Sequence, residues 1–474
     1  MSLIKSISGI RGTIGGKPGE GLTPPDVVKY TAAYGTWLLA QREPTEGEAA
    51  AAGRAKVVIG RDARTSGEMV TRLVVATLQS LGIDVVDLGL STTPTVELGV
   101  TEEEADGGLI ITASHNPAPW NALKMLNADG EFLTADDGAV VLDIAESDEI
   151  SYVEAKHLGS YRQRDDLLRL HIERILALPL VDRDAIAERD FRVAVDAVNS
   201  TGGIAVPMLL EALGVNRVEK FFCEPDGQFP HNPEPLPENM TFISNKMERG
   251  KFDLGIVVDP DVDRLAFLTE DGTPFGEEYT LVAVADYVLK QNGGGNTVSN
   301  LSSTQALRDV TERHGGEHFA SAVGEVNVVQ EMKAQGAVIG GEGNGGVIYP
   351  PLHYGRDALV GIALFLTHLA QFGKRVSMLR GAYPSYYIAK NKIELEPNLD
   401  LNHLLAGIQK KYERHPISTV DGVKIHFDGQ WVHLRRSNTE PVIRIYAEAD
   451  SMVTAENLTR KLMADLKDII TEKA

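Results

Sequence analysis

The chain has a single cysteine, no run of 18 apolar residues, few aromatic side chains and too few basic residues to balance its acidic ones. One thiol, Cys223, cannot close a disulfide within the chain, so dithiol redox chemistry and cysteine zinc sites are excluded. Its neighbours Phe221 and Phe222 make it a packed residue rather than a reactive one. Without a long apolar run or a charged-then-apolar leader, neither a membrane span nor secretion is expected, which points to the cytoplasm. A net charge of −21 argues against nucleic acid as a partner, because phosphate backbones select basic faces. Small anions stay open, since a local group of arginines can bind one within an acidic protein.

Glycine is plentiful. With 46 glycines and a 43% hydrophobic fraction the composition suits a loop-rich α/β protein with ample core. The 474 residues exceed one ordinary domain, and about 150 residues per domain implies three or four. Apolar segments read as strands at Val57–Ile59, Asp84–Leu88, Gly108–Ile111, Phe191–Val195 and Leu254–Val258, with helical periodicity at Pro25–Leu39 and Glu68–Leu81. Strand, loop, helix, strand is the order of βαβ units, so parallel or mixed sheets follow. Residues 160–178 read as a charged helical connector, residues 43–55 as a solvated insertion, and His231–Pro237 as an extended wall segment.

The strand ending at Ile111 runs into Thr112, Ala113, Ser114, His115, Asn116 and Pro117. Such a strand can deliver the Ser114 hydroxyl to a loop as a nucleophile, and the same residues can simply make a turn. Ser114 and His115 do not read as a catalytic pair, because neighbours in a strand point to opposite faces. Lys124 lies ten residues beyond the hydroxyl, either in its service or as a solvated charge. Near the N-terminus Arg11 stands between Gly9 and Gly12, free to approach an anion or part of a glycine-rich hairpin tip.

Asp259, Asp261 and Asp263 alternate within five residues after an apolar strand, and Arg264 follows. Carboxylates so placed converge on one face, and their repulsion calls for a hard divalent cation such as Mg2+. An EF-hand is a poor alternative, since the loop lacks the sixth-position glycine and the twelfth-position glutamate. Arg436, Ser437, Asn438, Thr439 and Arg444 form either a phosphate clamp or a solvated basic turn. In the glycine-rich loop 340–346, Glu342 and Asn344 offer hydrogen-bonding groups for sugar hydroxyls, or the loop is merely flexible.

The run Thr112–Pro117, the loop Asp259–Arg264, the loop Gly341–Gly346 and the run Arg436–Arg444 occur in an order that resembles the α-D-phosphohexomutase superfamily. The segment Asn232–Asn239 is most similar to phosphoglucosamine mutases. The resemblance spans the chain from Ser8 to beyond Arg444. It implies an α/β fold of four domains around a central cleft, three related α/β domains with mixed sheets and a smaller C-terminal α+β domain. The domains are expected at residues 1–157, 158–254, 255–372 and 373–474, carrying in turn the phosphoserine, metal, sugar and phosphate loops.

By the same resemblance, Ser114 carries a phosphoryl group, and Mg2+ is held by that phosphate together with Asp259, Asp261 and Asp263. Arg11, Lys124 and Arg264 act on the transferring group, Glu342 and Asn344 meet the sugar, and Arg436, Ser437, Asn438, Thr439 and Arg444 hold the substrate phosphate. The implied reaction moves a phosphoryl group between the 6- and 1-positions of a small hexose phosphate through a 1,6-bisphosphate. Glucosamine 6-phosphate is the best match, with glucose or mannose phosphates as the alternative and a non-catalytic sugar-phosphate sensor after that.

Some positions depart from the family pattern: Asn344 for a serine, Gly346 for a common histidine, Ala122 and Pro260 for glycines. Proton transfer by the missing histidine therefore does not carry over, and His353 is a substitute on sequence proximity alone. A haloacid-dehalogenase-like aspartyl phosphotransferase is a rival for the Asp259 loop, but Asp263 stands where it wants Thr or Val, and Ser114 would be idle.

Overall fold

The computed structural model describes residues 2–6, 9–42, 53–147, 149–394, 401–436 and 442–472. The chain forms two compact units, Met1–Tyr287 with Asn344–Leu379, and Val288–Gly343 with Arg380–Ala474. Among the described residues no helix is long and apolar enough to cross a membrane.

The first unit holds two mixed sheets. Strands β1 (Ile4–Ser6), β2 (Gly9–Thr13), β3 (Lys56–Arg61), β4 (Asp84–Leu90), β5 (Gly107–Ile111), β6 (Trp120–Leu126) and β7 (Tyr161–Gln163) lie in the order β1-β2-β6-β5-β3-β4-β7. The stretch β5-β3-β4-β7 is parallel, and β6, β2 and β1 add antiparallel strands at the other side. Both faces of β3 and β5 are covered, which is why they read as unbroken apolar runs without alternation. Helix Pro24–Gln41 packs Tyr30, Tyr34 and Trp37 into this core, and the Tyr34 hydroxyl lies 2.8 and 2.7 Å from the carbonyls of Gly108 and Leu126.

Residues 160–178 are not one helix. Tyr161–Gln163 pairs in parallel with the edge of β4, and the helix begins only at Leu167. The strand's side chains are exposed, so no buried stripe announces it in the sequence.

The second sheet contains β8 (Arg192–Asp196), β9 (Arg217–Phe221), β10 (Leu254–Val258) and β11 (Leu265–Leu268), ordered β11-β10-β8-β9. β10 pairs in parallel with β8 and antiparallel with β11, so residues 259–264 are the turn joining two neighbouring strands. A boundary at 254/255 would therefore fall inside this sheet rather than between domains. Strand β15 (Gly346–Ile348) and helix Ala358–Phe372 return the chain to this unit. The helix is buried from Ala358 to Leu369, and Phe365 stacks on Phe267 of β11 with ring centroids 3.9 Å apart.

In the second unit β12 (Thr297–Asn300) lies between β13 (His318–Ser321) and β14 (Ile339–Glu342), all parallel. A separate antiparallel sheet of β16 (Tyr387–Glu394), β17 (Ile417–Ser418), β18 (Val423–Phe427), β19 (Gln430–Arg436) and β20 (Val442–Ala449) is ordered β16-β20-β19-β18-β17. Its apolar residues share a core with helices Leu401–Lys411 and Met452–Glu472, an α+β arrangement.

Phe365→Ala removes a stacked, fully buried ring from the helix that covers β11, and a loss of about 3–5 kcal/mol is expected. A lower denaturant midpoint for the variant checks this, and an unchanged midpoint contradicts the packing.

Candidate active site

Ser114 follows β5 with a backbone φ of 48°, in the left-handed region that a non-glycine residue adopts only where its surroundings hold it. The holding groups are identifiable. Its amide donates to Thr112 Oγ1 at 2.9 Å, and that hydroxyl donates to Asp62 Oδ2 at 2.7 Å. Asp62 in turn accepts from Arg64 Nε at 2.9 Å. The same guanidinium donates to the carbonyls of Ser114 (2.5 Å), Asn116 (2.6 Å), Pro117 (2.8 Å) and Trp120 (2.9 Å). All five donors of a fully buried Arg64 are thus spent on the serine loop and its anchor.

The left-handed turn also corrects the strand argument about His115. Side chains alternate only in extended backbone, and here His115 Nδ1 comes within 3.4 Å of Ser114 Oγ. Burial, Arg264 and Arg11 hold this imidazole well below its ordinary pKa, so it is neutral.

Ser114 Oγ donates to Asp259 Oδ2 at 2.7 Å. Asp259, Asp261 and Asp263 are completely buried, and one oxygen from each lies within 4.8 Å of the others. Thr93, at the start of helix Thr93–Glu102, gives its hydroxyl to Asp261 Oδ2 at 2.7 Å and its amide to the Asp261 carbonyl at 2.8 Å. The Pro260 carbonyl accepts from Ser200 Oγ at 2.7 Å and Thr201 Oγ1 at 2.8 Å, which fixes the turn.

Cations surround this acidic core. Lys124 Nζ donates to Asp261 at 2.7 Å and to Asp263 at 3.5 Å, and Arg356 donates to Asp263 at 2.7 Å. Arg264 gives its amide to Asp259 Oδ1 at 3.1 Å and its guanidinium to Glu234 at 2.9 Å. Arg11 sits on β2 opposite Ala122 of β6, one pleat from Lys124 and on the same face, and donates to Asn116 Oδ1 at 3.3 Å. Burial and neighbouring Arg264 pull Arg11 down to about 10. Burial works against the Lys124 ammonium, yet Asp261 and Asp263 outweigh it and keep it above the ordinary lysine value.

The donor set fits a hard divalent cation. It is oxygen-only, and Asp261 Oδ1 and Asp263 Oδ1 are buried without a hydrogen-bond partner. Burial and the two neighbouring carboxylates push Asp259 well above the usual carboxylate range, the direction that a nearby dication would reverse.

Glu342, Arg436 and Arg444 belong to the second unit, and Asn344 to the first. Glu342 is buried at the end of β14, its Oε1 accepting from Asn300 Nδ2 at 2.8 Å and the Gly324 amide at 3.1 Å. Asn344, half-buried at the start of the returning segment of the first unit, accepts the Gly346 amide at 3.1 Å. Ser437, Asn438 and Thr439 lie outside the described residues, as do Ser8 and residues 43–52. The β19–β20 register sets Arg444 opposite Arg435, whereas exposed Arg436 lies opposite Ile443 and faces the other way. Arg435 and Arg444 therefore share one face of the strand pair, where like charges repel unless negative groups offset them.

Arg64, Thr93, Arg356 and Arg435 carry no assignment from the sequence. Only Arg64 and Arg435 had a visible signal, one after the strand-ending Asp62 and the other beside Arg436. His353 is not a free base: its ring nitrogens meet Asp357 at 3.3 Å and Glu97 at 3.4 Å. No side chain fits at 346 either, because a Cβ there would stand 2.3 Å from Arg356 Cδ.

Four family profiles match in chain order. They are described as phosphoglucomutase/phosphomannomutase α/β/α domain I over residues 3–150, domain II over 169–272, domain III over 276–386 and the C-terminal domain over 395–464. A phosphoglucomutase/phosphomannomutase of Thermococcus kodakarensis is 37% identical over 445 residues, covering 93% of this chain and 94% of its own length. A "probable phosphoglucosamine mutase" of Methanopyrus kandleri is 32% identical, covering 98% and 96%. A phosphoglucosamine/phosphogalactosamine mutase of Sulfurisphaera tokodaii is 30% identical over the full length of both chains. Among solved structures, a phosphoglucomutase/phosphomannomutase family protein from Burkholderia thailandensis superposes with a TM-score of 0.83 at 26% identity, covering 98% of this chain and 97% of that one.

Arg64→Lys keeps the charge but cannot supply the five-donor fork, so the serine loop loses its anchors. Because misplacing a reacting group by about 1 Å can cost about 100-fold, kcat is expected to fall by about that factor, and the thermal midpoint should drop as buried carbonyls lose their donors. Wild-type kcat in the folded variant would contradict this role.

Proposed function

Because the chain belongs to the phosphoglucomutase/phosphomannomutase family of phosphohexomutases, we propose that it converts glucosamine 6-phosphate to glucosamine 1-phosphate through a phosphorylated Ser114. The observation that carries this reading is the Ser114 hydroxyl held 2.7 Å from Asp259 at the edge of a buried three-aspartate cluster. An aspartyl phosphotransferase or a sugar-phosphate sensor has no use for a hydroxyl so placed.

In the resting state Ser114 holds a phosphoryl group. The 1-hydroxyl of the sugar attacks phosphorus in line as the bond to Ser114 Oγ breaks, giving a 1,6-bisphosphate and free serine. The intermediate turns over, Ser114 Oγ attacks the 6-phosphate, and the enzyme is phosphorylated again as the 1-phosphate leaves. The catalytic task is positioning and charge, since a transferring phosphoryl group spreads its charge over three oxygens. Lys124, Arg11 and Arg264 supply that charge, and neutral His115 beside Oγ is a proton acceptor rather than another cation. Mg2+ held by Asp259, Asp261 and Asp263 would neutralise the aspartates and draw phosphoryl oxygens toward the serine.

Arg435 and Arg444 have the task of gripping the phosphate that is not reacting, with Ser437, Asn438 and Thr439 completing the loop. Glu342 and Asn344 receive the sugar, and a carboxylate accepts equally from a hydroxyl and from the ammonium of glucosamine. The choice of glucosamine rests on the Asn232–Asn239 segment and on two relatives named for it, while the relative at 37% identity is named for glucose and mannose.

Intact mass checks the phosphoserine: a wild-type fraction heavier by about 80 Da is expected, and Ser114→Ala should lack it and lose turnover. A phosphorylated Ser114→Ala would remove the serine from the mechanism. For the sugar, coupled assays on the 6-phosphates of glucosamine, glucose and mannose should give the highest kcat/KM with glucosamine. A higher value with glucose or mannose moves the substrate to the alternative.

A further inference from the structure

Within the first unit, two imidazoles and a carboxylate converge at a point that the phosphoryl chemistry does not use. His171, on helix Leu167–Leu176, directs Nε2 to Asp357 Oδ2 at 2.8 Å. His353, in the loop after β15, directs Nε2 to the same oxygen at 3.3 Å. These donor atoms lie within 4.8 Å of one another, His171 and Asp357 are buried, and His353 keeps a small opening to solvent.

Each of the three is oriented by something else. Asp357 caps helix Ala358–Phe372, its Oδ1 accepting from the amides of Leu359 at 2.8 Å and Val360 at 3.3 Å, which leaves Oδ2 to the histidines. His171 Nδ1 lies 2.9 Å from Thr95 Oγ1, and His353 Nδ1 lies 3.4 Å from Glu97 Oε2. Both nitrogens of His353 face carboxylates, so with an ion between Nε2 and Asp357 the ring's remaining proton belongs on Nδ1, facing Glu97. That is how ligating histidines are held: one nitrogen gives its proton to an acceptor and the other faces the ion. The loop comes this close to Glu97 only because residue 355 is glycine, since a Cβ there would stand 1.9 Å from Glu97 Oε2.

We propose that His171, His353 and Asp357 bind a single zinc-class dication, with Thr95 and Glu97 as the residues that orient its two imidazole ligands. Two nitrogens and one carboxylate favour Zn2+ or Co2+ over Mg2+, the reverse of the oxygen-only aspartate cluster. Three protein ligands leave a fourth position for water on the side where His353 is partly exposed. A dication also balances the buried carboxylates of Asp357 and Glu97. Binding joins helix Leu167–Leu176 to the loop whose next-to-last residue, Arg356, grips Asp263, so the ion is a brace for the active-site wall. This inference is independent of the sugar and of the phosphoserine.

The full chain, stripped with chelator, is dialysed against equimolar Zn2+ in a large excess of Mg2+, and its zinc is counted by mass spectrometry. About one zinc per chain is expected, Zn2+ should raise the thermal midpoint, and Co2+ in its place should give the intense visible bands of a tetrahedral site. His353→Gln, on a partly exposed loop, should fold and lose zinc affinity by more than about tenfold, and its midpoint should stop responding to Zn2+. Asp261→Asn should retain zinc. The proposal is overturned if the wild type keeps no zinc against Mg2+, if His353→Gln keeps as much as the wild type, or if Asp261→Asn loses it.

Discussion

Three carboxylates buried side by side are the constraint to which the first unit is built. Asp259, Asp261 and Asp263 have no exposed surface, and ionised groups cannot be so placed unless opposite charge and hydrogen bonds meet them. The answering groups come from widely separated parts of the chain. Lys124 arrives from an antiparallel strand of the first sheet, Thr93 from a helix N-terminus, Arg356 from the loop before helix Ala358–Phe372, and Ser114 from the end of a parallel strand. Each is a hydrogen bond to an aspartate, so the acidic turn between β10 and β11 ties together elements that its own sheet does not contain. The negative charge is still not fully met, because the Oδ1 atoms of Asp261 and Asp263 are buried without partners and the crowding raises the Asp259 carboxyl. That shortage of positive charge suits the turn to a divalent cation.

A second constraint is geometric. The serine must project from a left-handed turn, and turns of that kind do not hold themselves. Arg64 does this with one planar group. Its fork takes four carbonyls of the serine loop and the Asp62 carboxylate, which also reaches Thr112 and through it the Ser114 amide. Charge is managed by the aspartate turn and position by Arg64. The two systems meet at the serine hydroxyl, which is where chemistry requiring both would be done.

Much of this was legible in the residues. The apolar runs became β3, β5, β8 and β10 within a residue or two, because strands covered on both faces need no alternation to be recognised. The aspartates were legible because alternate acids in a short loop demand an explanation on their own. What escaped depends on distance or register. Arg356 and Thr93 meet their aspartates across 93 and 168 residues of chain, and no local pattern encodes such a pairing. Arg435 and Arg436 differ only in which face of β19 they occupy, which is settled by the pairing with β20. The strand Tyr161–Gln163 has no buried side to leave a periodic trace. The side chains of Ser114 and His115 meet because the alternation of extended strands does not apply to a left-handed turn.

The departures from the family pattern are mutually consistent once the site is seen. Ala122 lies opposite Arg11 in the sheet, where a small side chain leaves the guanidinium room to reach Asn116. Pro260 accepts two hydroxyls at its carbonyl, which needs no amide and suits a residue that has none to give. Gly346 is the instructive one. Where a histidine is common in the family, this chain runs the stem of Arg356 through the space a Cβ would fill, and uses it to reach Asp263. An arginine cannot exchange protons at physiological pH, so the replacement adds fixed charge to the cation site and gives up a titrating group. His115 is the histidine that stands against the serine, its Nδ1 3.4 Å from Ser114 Oγ. His353 is held between Asp357 and Glu97, and the loop it belongs to is the one that brings Arg356 to the aspartates.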